Sequence, residues 1–209
     1  MNPHSPAGTL RAVSIDGMTR SAFILRGAMA TGALYGAGAV GPYVARAFGQ
    51  DDGGEGDLEI LNFALTLQYL EVEFYKRGME VGLDGDVKKL ATGFLEQEQA
   101  HVAAVTQAVM DGGGTPVKEP TFEFPVEDQG SFVGLGMTLE DTGVSAFNGA
   151  GPKITNPEVL AAAGTIVQVE ARHAAALRLA ADQEPAPVAF DETLEMNDAL
   201  EAAEPFIKE

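Results

Sequence analysis

Two four-residue words, Glu98-x-x-His101 and Glu170-x-x-His173, stand 72 positions apart in this chain, and they limit its fold more than any other feature. In an α-helix, residues three apart lie about one turn along the same face, so each word aims a carboxylate and an imidazole at one point. One such word alone is usually a surface pair. Here the repetition extends well beyond the words: "EQAHVAAV" at 98–105 lies over "EARHAAAL" at 170–177, and "TLQYLEVEF" at 66–74 over "TLEDTGVSA" at 138–146, all at the same offset. Thr66 then matches Thr138, Leu67 matches Leu139, and Val72 matches Val144. The chain has three histidines, and the two beyond the N-terminal region both sit in these words. One helix pair has been used twice.

The surrounding pattern is helical. Asp57 is placed to cap a helix running to about residue 77, with Leu61, Ala64, Leu65, Leu67, Leu70 and Phe74 apolar at helical spacing. A second helix fits 86–110 and stops at "DGGG". The stretch "TPVKEPTFEFPVED" holds three prolines and no helical period, so it reads as a long crossing connection. A third helix fits 130 to about 147, a fourth runs from 156 or 157 to about 182, and after the Pro-rich "QEPAPVAFDE" a short terminal helix fits 193–207. Helices joined short, long, short predict an all-α fold, a four-helix bundle with one crossover.

Within such a bundle, two Glu-x-x-His helices facing each other, with a carboxylate from each of the other two, can enclose two metal ions. Glu140 stands 30 residues before Glu170 and supplies one of those carboxylates. The same step back from Glu98 reaches Gln68, an amide where the second half has an acid. A neutral amide oxygen is a poorer ligand for a hard cation. Glu71, one turn further on, can replace it; its counterpart in the repeat is Gly143. The predicted metal ligands are therefore Glu71, Glu98, His101, Glu140, Glu170 and His173, with Gln68 a weak ligand or a hydrogen-bond partner of the ligands. Asp141 points about 100° away from Glu140 and belongs to the exterior. Tyr69 and Tyr75 are read as fillers of the bundle edge, with Tyr75 also on the face that could relay electrons.

The segments "LNFALTLQYLEVEFY", "EQEQAHVAAV", "FPVEDQGSF", "TLEDTGVSAFNGAG", "VEARHAAALR" and "PFI" resemble, in order, the ferritin-like family that includes the desiccation-related plant proteins and their bacterial, often exported, relatives. The likeness covers about residues 57–207. It implies a ferritin-like bundle with a candidate dimetal centre, and Gln68 departs from the Leu-Glu-x-Leu-Glu usual in that family's first helix.

Composition narrows the partners. With 13 basic against 31 acidic side chains, a net charge of −18, the chain lacks the positive surface that nucleic acid or anionic lipid requires. It has no cysteine, so thiolate metal sites, disulfides and cysteine nucleophiles are excluded. Any metal must be held by oxygen and imidazole.

The first 47 residues read as an N-terminal extension and export signal. Met18, Arg20 and Arg26 precede a Gly/Ala-rich apolar run from 27 to 45 and the small-x-small triplet Ala45-Arg46-Ala47. The segment 19–24 resembles a twin-arginine signal with one of its two arginines. Uncleaved, the run from 27 to 45 is about the minimum length for a membrane anchor. Residues 48–56 form an acidic Gly-rich linker. The expectation is an exported protein, handled by export machinery, with two metal ions, iron first and manganese second, that reacts with dioxygen or peroxide; self-association is open. The alternatives are a non-enzymatic bundle with a degenerate site, favoured by Gln68, and a manganese-catalase-like disproportionation.

Overall fold

The computed structural model describes residues 55–208. The stretch at 1–47 expected to be an extension and export signal, and the linker up to 54, lie outside the described residues. Four long helices make the body: α1 (Glu55–Glu80), α2 (Gly85–Asp111), α3 (Gln129–Ala150) and α4 (Pro157–Ala180), with a short α5 (Met196–Ala203). No helix among the described residues is long and apolar enough to cross a membrane.

Each of α2, α3 and α4 starts on a side chain that satisfies free backbone N–H groups. Asp84 accepts from Asp86 N and Val87 N, Asp128 forms a capping box with Ser131, and Asn156 accepts from Glu158 N and Val159 N ahead of Pro157. The role expected for Asp57 is corrected. α1 begins two residues earlier, and the buried Asp57 carboxylate instead accepts from Thr155 N at 2.8 Å, Thr155 Oγ1 at 3.0 Å and Asn156 N at 2.8 Å. A carboxylate one turn inside α1 thus pins the start of α4, a tertiary use that no local rule signals. The linker's last two residues, 55 and 56, are likewise helical.

α1 packs chiefly on α2, and α3 on α4. Between these hairpins runs the crossover at 112–128, which buries Phe124 and Val126 in the core. Thr121–Phe122 (β1) pairs antiparallel with Ile207–Lys208 (β2), and Glu123 N donates to Phe206 O at 2.8 Å. The C-terminal segment therefore ties down the crossover expected to be irregular. The terminal helix is shorter than predicted because Pro205 turns Glu204–Phe206 into a 3-10 turn. Its approach depends on Gly149: a Cβ there would fall 1.8 Å from Leu194 O, while Leu194 N donates to Ser145 O.

The core falls into two apolar clusters. One gathers Leu90, Ala91 and Phe94 of α2, Phe132 of α3 and Ala176 and Leu177 of α4 around Phe74 and Tyr75 of α1. The other joins Leu61 and Leu65 of α1, Val105 and Val109 of α2 and Ala162 and Ile166 of α4. Along α2 and α4 the residues missing from both clusters are those around 98–101 and 170–173. The polar residues of the repeat form a layer sandwiched between two dry ones.

Candidate metal centre

A buried ionised carboxylate costs several kcal/mol unless a cation or hydrogen bonds compensate it. This layer holds four carboxylates. Glu71, Glu98, Glu140 and Glu170 are each at most 2% exposed, with His173 at 1% and Gln68 fully buried. His101 is the most open of the set, its side chain 13% exposed. All the predicted ligands thus meet in one layer, each α-helix of the body contributing at least one.

The imidazoles organise the layer into two positions. His173 Nδ1 lies 3.0 Å from Glu98 Oε1, 3.3 Å from Glu140 Oε2 and 3.6 Å from Glu170 Oε2. His101 Nδ1 lies 2.9 Å from Glu98 Oε2 and 3.3 Å from Glu170 Oε1. Glu98 and Glu170 therefore each turn one oxygen to either histidine. Glu140 stands on the His173 side. On the His101 side, Gln68 Nε2 donates to Glu71 Oε2 at 2.7 Å and to Glu170 Oε1 at 2.9 Å.

The His173 side carries the signature of a ligand shell. Glu98, Glu140, Glu170 and His173 bring one ligand atom each within 4.8 Å of one another. Despite their closeness, Glu98 Oε1, Glu140 Oε2, Glu170 Oε2 and His173 Nδ1 have no hydrogen-bond partner among the described residues. Buried polar atoms are almost always paired. Four unpaired ones of this chemistry, three hard oxygens and an imidazole nitrogen, crowd about one point as they would around a divalent cation. Glu71 and His101 stand outside that tight group.

Protonation follows from the same crowding. Burial pushes the Glu71 carboxyl well above the usual range, and the charges of Glu170, Glu98 and Glu140 push it further. Burial also lifts Glu140, to about 8 against the pull of His173. For both imidazoles burial acts downward, but the carboxylates prevail: His101 rises to about 10, chiefly through Glu98, and His173 rises well above its ordinary value, chiefly through Glu140. Glu170 resists its burial and stays below the normal carboxylate range, because both imidazoles face it. Without a cation the cluster balances its charge with protons. A metal would displace them.

Four supporting residues, Gln97, Phe94, Tyr75 and Gly143, complete the site. Gln97 Oε1 accepts from His173 Nε2 at 2.8 Å and so presents Nδ1 to the carboxylates, while the Phe94 ring stacks on the imidazole at 4.0 Å between centroids. Sequence reasoning missed Gln97; being adjacent to Glu98, it shows no periodic signal. Tyr75, read as an edge filler or a relay, is fully buried and donates its hydroxyl to Glu140 Oε1. Tyr69 is only partly buried, against the opposite cluster. Gly143 faces the carboxylate of Glu71: a Cβ there would lie 2.8 Å from Oε1. The repeat alignment already paired these two positions, without giving the reason. Asp141 faces outward as expected, and pairs with Arg178.

The family model of the ferritin-like domain matches residues 56–183, the span from the first turn of α1 to just past α4. No curated protein matches the chain.

Proposed function

The chain belongs to the ferritin-like domain family, and from that premise we propose that it is an exported dimetal-carboxylate protein whose centre reacts with dioxygen or peroxide. The observation that carries this reading is the convergence of three unpartnered carboxylate oxygens and an unpartnered imidazole nitrogen in a dry bundle core. Glu98 and Glu170 would serve both metals, Glu140 and His173 one of them, and Glu71 and His101 the other. With Glu71 included, four carboxylates balance two divalent cations. Iron is the first choice and manganese the second, since oxygen and imidazole donors suit both. A pair of iron ions supplies one-electron redox capacity toward dioxygen or peroxide, the ferroxidase or oxidative-stress type of chemistry, whereas a manganese pair supplies peroxide disproportionation.

The protein's own groups set the conditions. Gln97 fixes the tautomer of His173, the Phe and Leu layers on either side exclude water, and Tyr75 holds one oxygen of Glu140 by its hydroxyl. Tyr75 is thereby an oxidisable side chain in direct contact with Glu140, yet burial and Glu140 raise its pKa and keep it a proton donor. Export rests on the order of basic, apolar and small residues at 18–47. A twin-arginine-type route suits a chain that folds around its metal before transport.

Metal analysis by plasma mass spectrometry on protein purified without chelator tests the reading, with Glu98→Ala/Glu170→Ala as control. About two iron or manganese ions per chain, lost in the variant, are expected. No metal as purified and none after reconstitution would instead support the non-enzymatic bundle that Gln68 favours.

A further inference from the structure

Gln68 is the one buried polar residue of the layer that the dimetal reading does not employ, and its contacts are one-sided. Its Nε2 sits between Glu71 Oε2 and Glu170 Oε1, donating to both, while its Oε1 has no partner among the described residues. Both acceptors belong to the His101 side. An amide N–H donates and cannot ligate, so a cation on that side must compete with Gln68 for the same carboxylate lone pairs. On the His173 side the oxygens nearest the imidazole, Glu98 Oε1, Glu140 Oε2 and Glu170 Oε2, are unpartnered, and the donor present there, Tyr75, takes the other oxygen of Glu140.

We propose that Gln68 makes the centre fill in a fixed order, the His173 position first and tightly, the His101 position second and only as the amide releases Glu71 and Glu170. The proposal rests on the dimetal reading and adds unequal sites to it. Geometry supports the division twice more. The four-atom group contains His173 and omits both His101 and Glu71. Glu71 Oε1 also occupies space that Gly143 leaves open, a Cβ at 143 falling 2.8 Å from it. The asymmetry thus lies in the α1 and α3 positions of the repeat, while the two Glu-x-x-His helices remain alike.

The test is a Mn(II) titration of the full chain, followed by calorimetry and by electron paramagnetic resonance, which distinguishes an isolated ion from a coupled pair. Two steps are expected, the first giving the isolated signal and the second, weaker by ~10-fold or more, replacing it with a coupled one. Gln68→Glu should bring the steps together. Gln68→Ala, which removes the donor without adding charge, should strengthen the second step to a smaller degree and leave the first alone. Equal steps in the parent chain, or a second step that weakens in Gln68→Ala, would overturn the proposal, the latter by making the amide a ligand. The dimetal reading survives both of those results. Failure of the parent chain to bind any Mn(II) would remove that reading, and the fixed order with it.

Discussion

The α1–α2 hairpin and the α3–α4 hairpin are built on one pattern, yet they treat the centre differently. Their second helices agree: Glu98 and His101 on α2 mirror Glu170 and His173 on α4 in spacing, burial of the carboxylate and use of Nδ1. Their first helices diverge. α3 offers Glu140 followed one turn later by Gly143, and α1 offers Gln68 followed by Glu71. The divergence is reciprocal, since the glycine on α3 vacates the space that the displaced carboxylate of α1 fills. A repeat can therefore drift at a functional layer if charge count and volume are conserved across the pair, even though neither position is conserved between the halves.

The sharpest way to break the symmetry is to remove each histidine in turn. His173→Ala should weaken binding of the first metal by more than ~100-fold, beyond the usual cost of losing a group that only orients a ligand, whereas His101→Ala should spare the first step and cost the second; calorimetry with Mn(II) reads both. Next in size, Gln97→Ala frees the ring of His173 and should weaken the first step by ~10-fold or more, and the corresponding position beside Glu170, Val169, has no such role. Gly78→Ala compares the halves away from the metal. The repeat counterpart of Gly78 is Ala150, but a Cβ at 78 would meet the Phe132 ring at 2.2 Å, so this variant should lose about 1–3 kcal/mol of stability in denaturant titration.

Proton linkage gives a further distinction between the loaded and the metal-free protein. The folded-state pKa of His101 is raised to about 10, so the folded chain binds this proton more tightly than the unfolded one. Its stabilising contribution is full below the unfolded value and is lost as pH rises toward 10. Glu140, raised from 4.5 to about 8, also favours the protonated fold, and its contribution is lost as pH rises from its ordinary value toward 8. Metal-free protein should therefore melt at progressively lower temperature between about pH 6 and pH 9, while the stabilisation gained on adding metal grows, because ligands must shed protons to bind. Calorimetry in buffers of different ionisation enthalpy should register the released protons. The smallest effect expected is that of Gly143→Ala. The group in the way is the flexible end of Glu71, so the second metal step should weaken by only a few-fold and the first should not change.

Most of the fold was legible because it depends on local signals. The run "DGGG" announces the stop of α2, the three prolines at 115–128 announce the crossover, and the apolar period of α1 is readable without reference to any other helix, whereas the caps Asp84 and Asp128 went unread and the helices they start are predicted one residue late. The buried cluster was legible for a different reason: a carboxylate and an imidazole three apart, twice at one offset, put Glu98, His101, Glu170 and His173 at one level of two packed helices. Asp57 was misread because its sequence context suits a cap equally well, and only the nearness of Thr155 and Asn156 diverts its carboxylate. Gln97 and the buried hydroxyl of Tyr75 were illegible as partners, since hydrogen bonds between helices leave no trace in the spacing along one of them.

The sequence by itself determined that four helices would form, which faces they would bury, and that Glu98, His101, Glu140, Glu170 and His173 would share a layer, because helical periodicity converts spacing into direction. Only the tertiary structure decided what stands at the fourth carboxylate. Gln68 and Glu71 lie on nearly the same face of α1, and the choice between them depends on free volume and hydrogen bonding across the bundle: Gly143 on α3 gives Glu71 its space, and Glu170 on α4 takes the amide of Gln68.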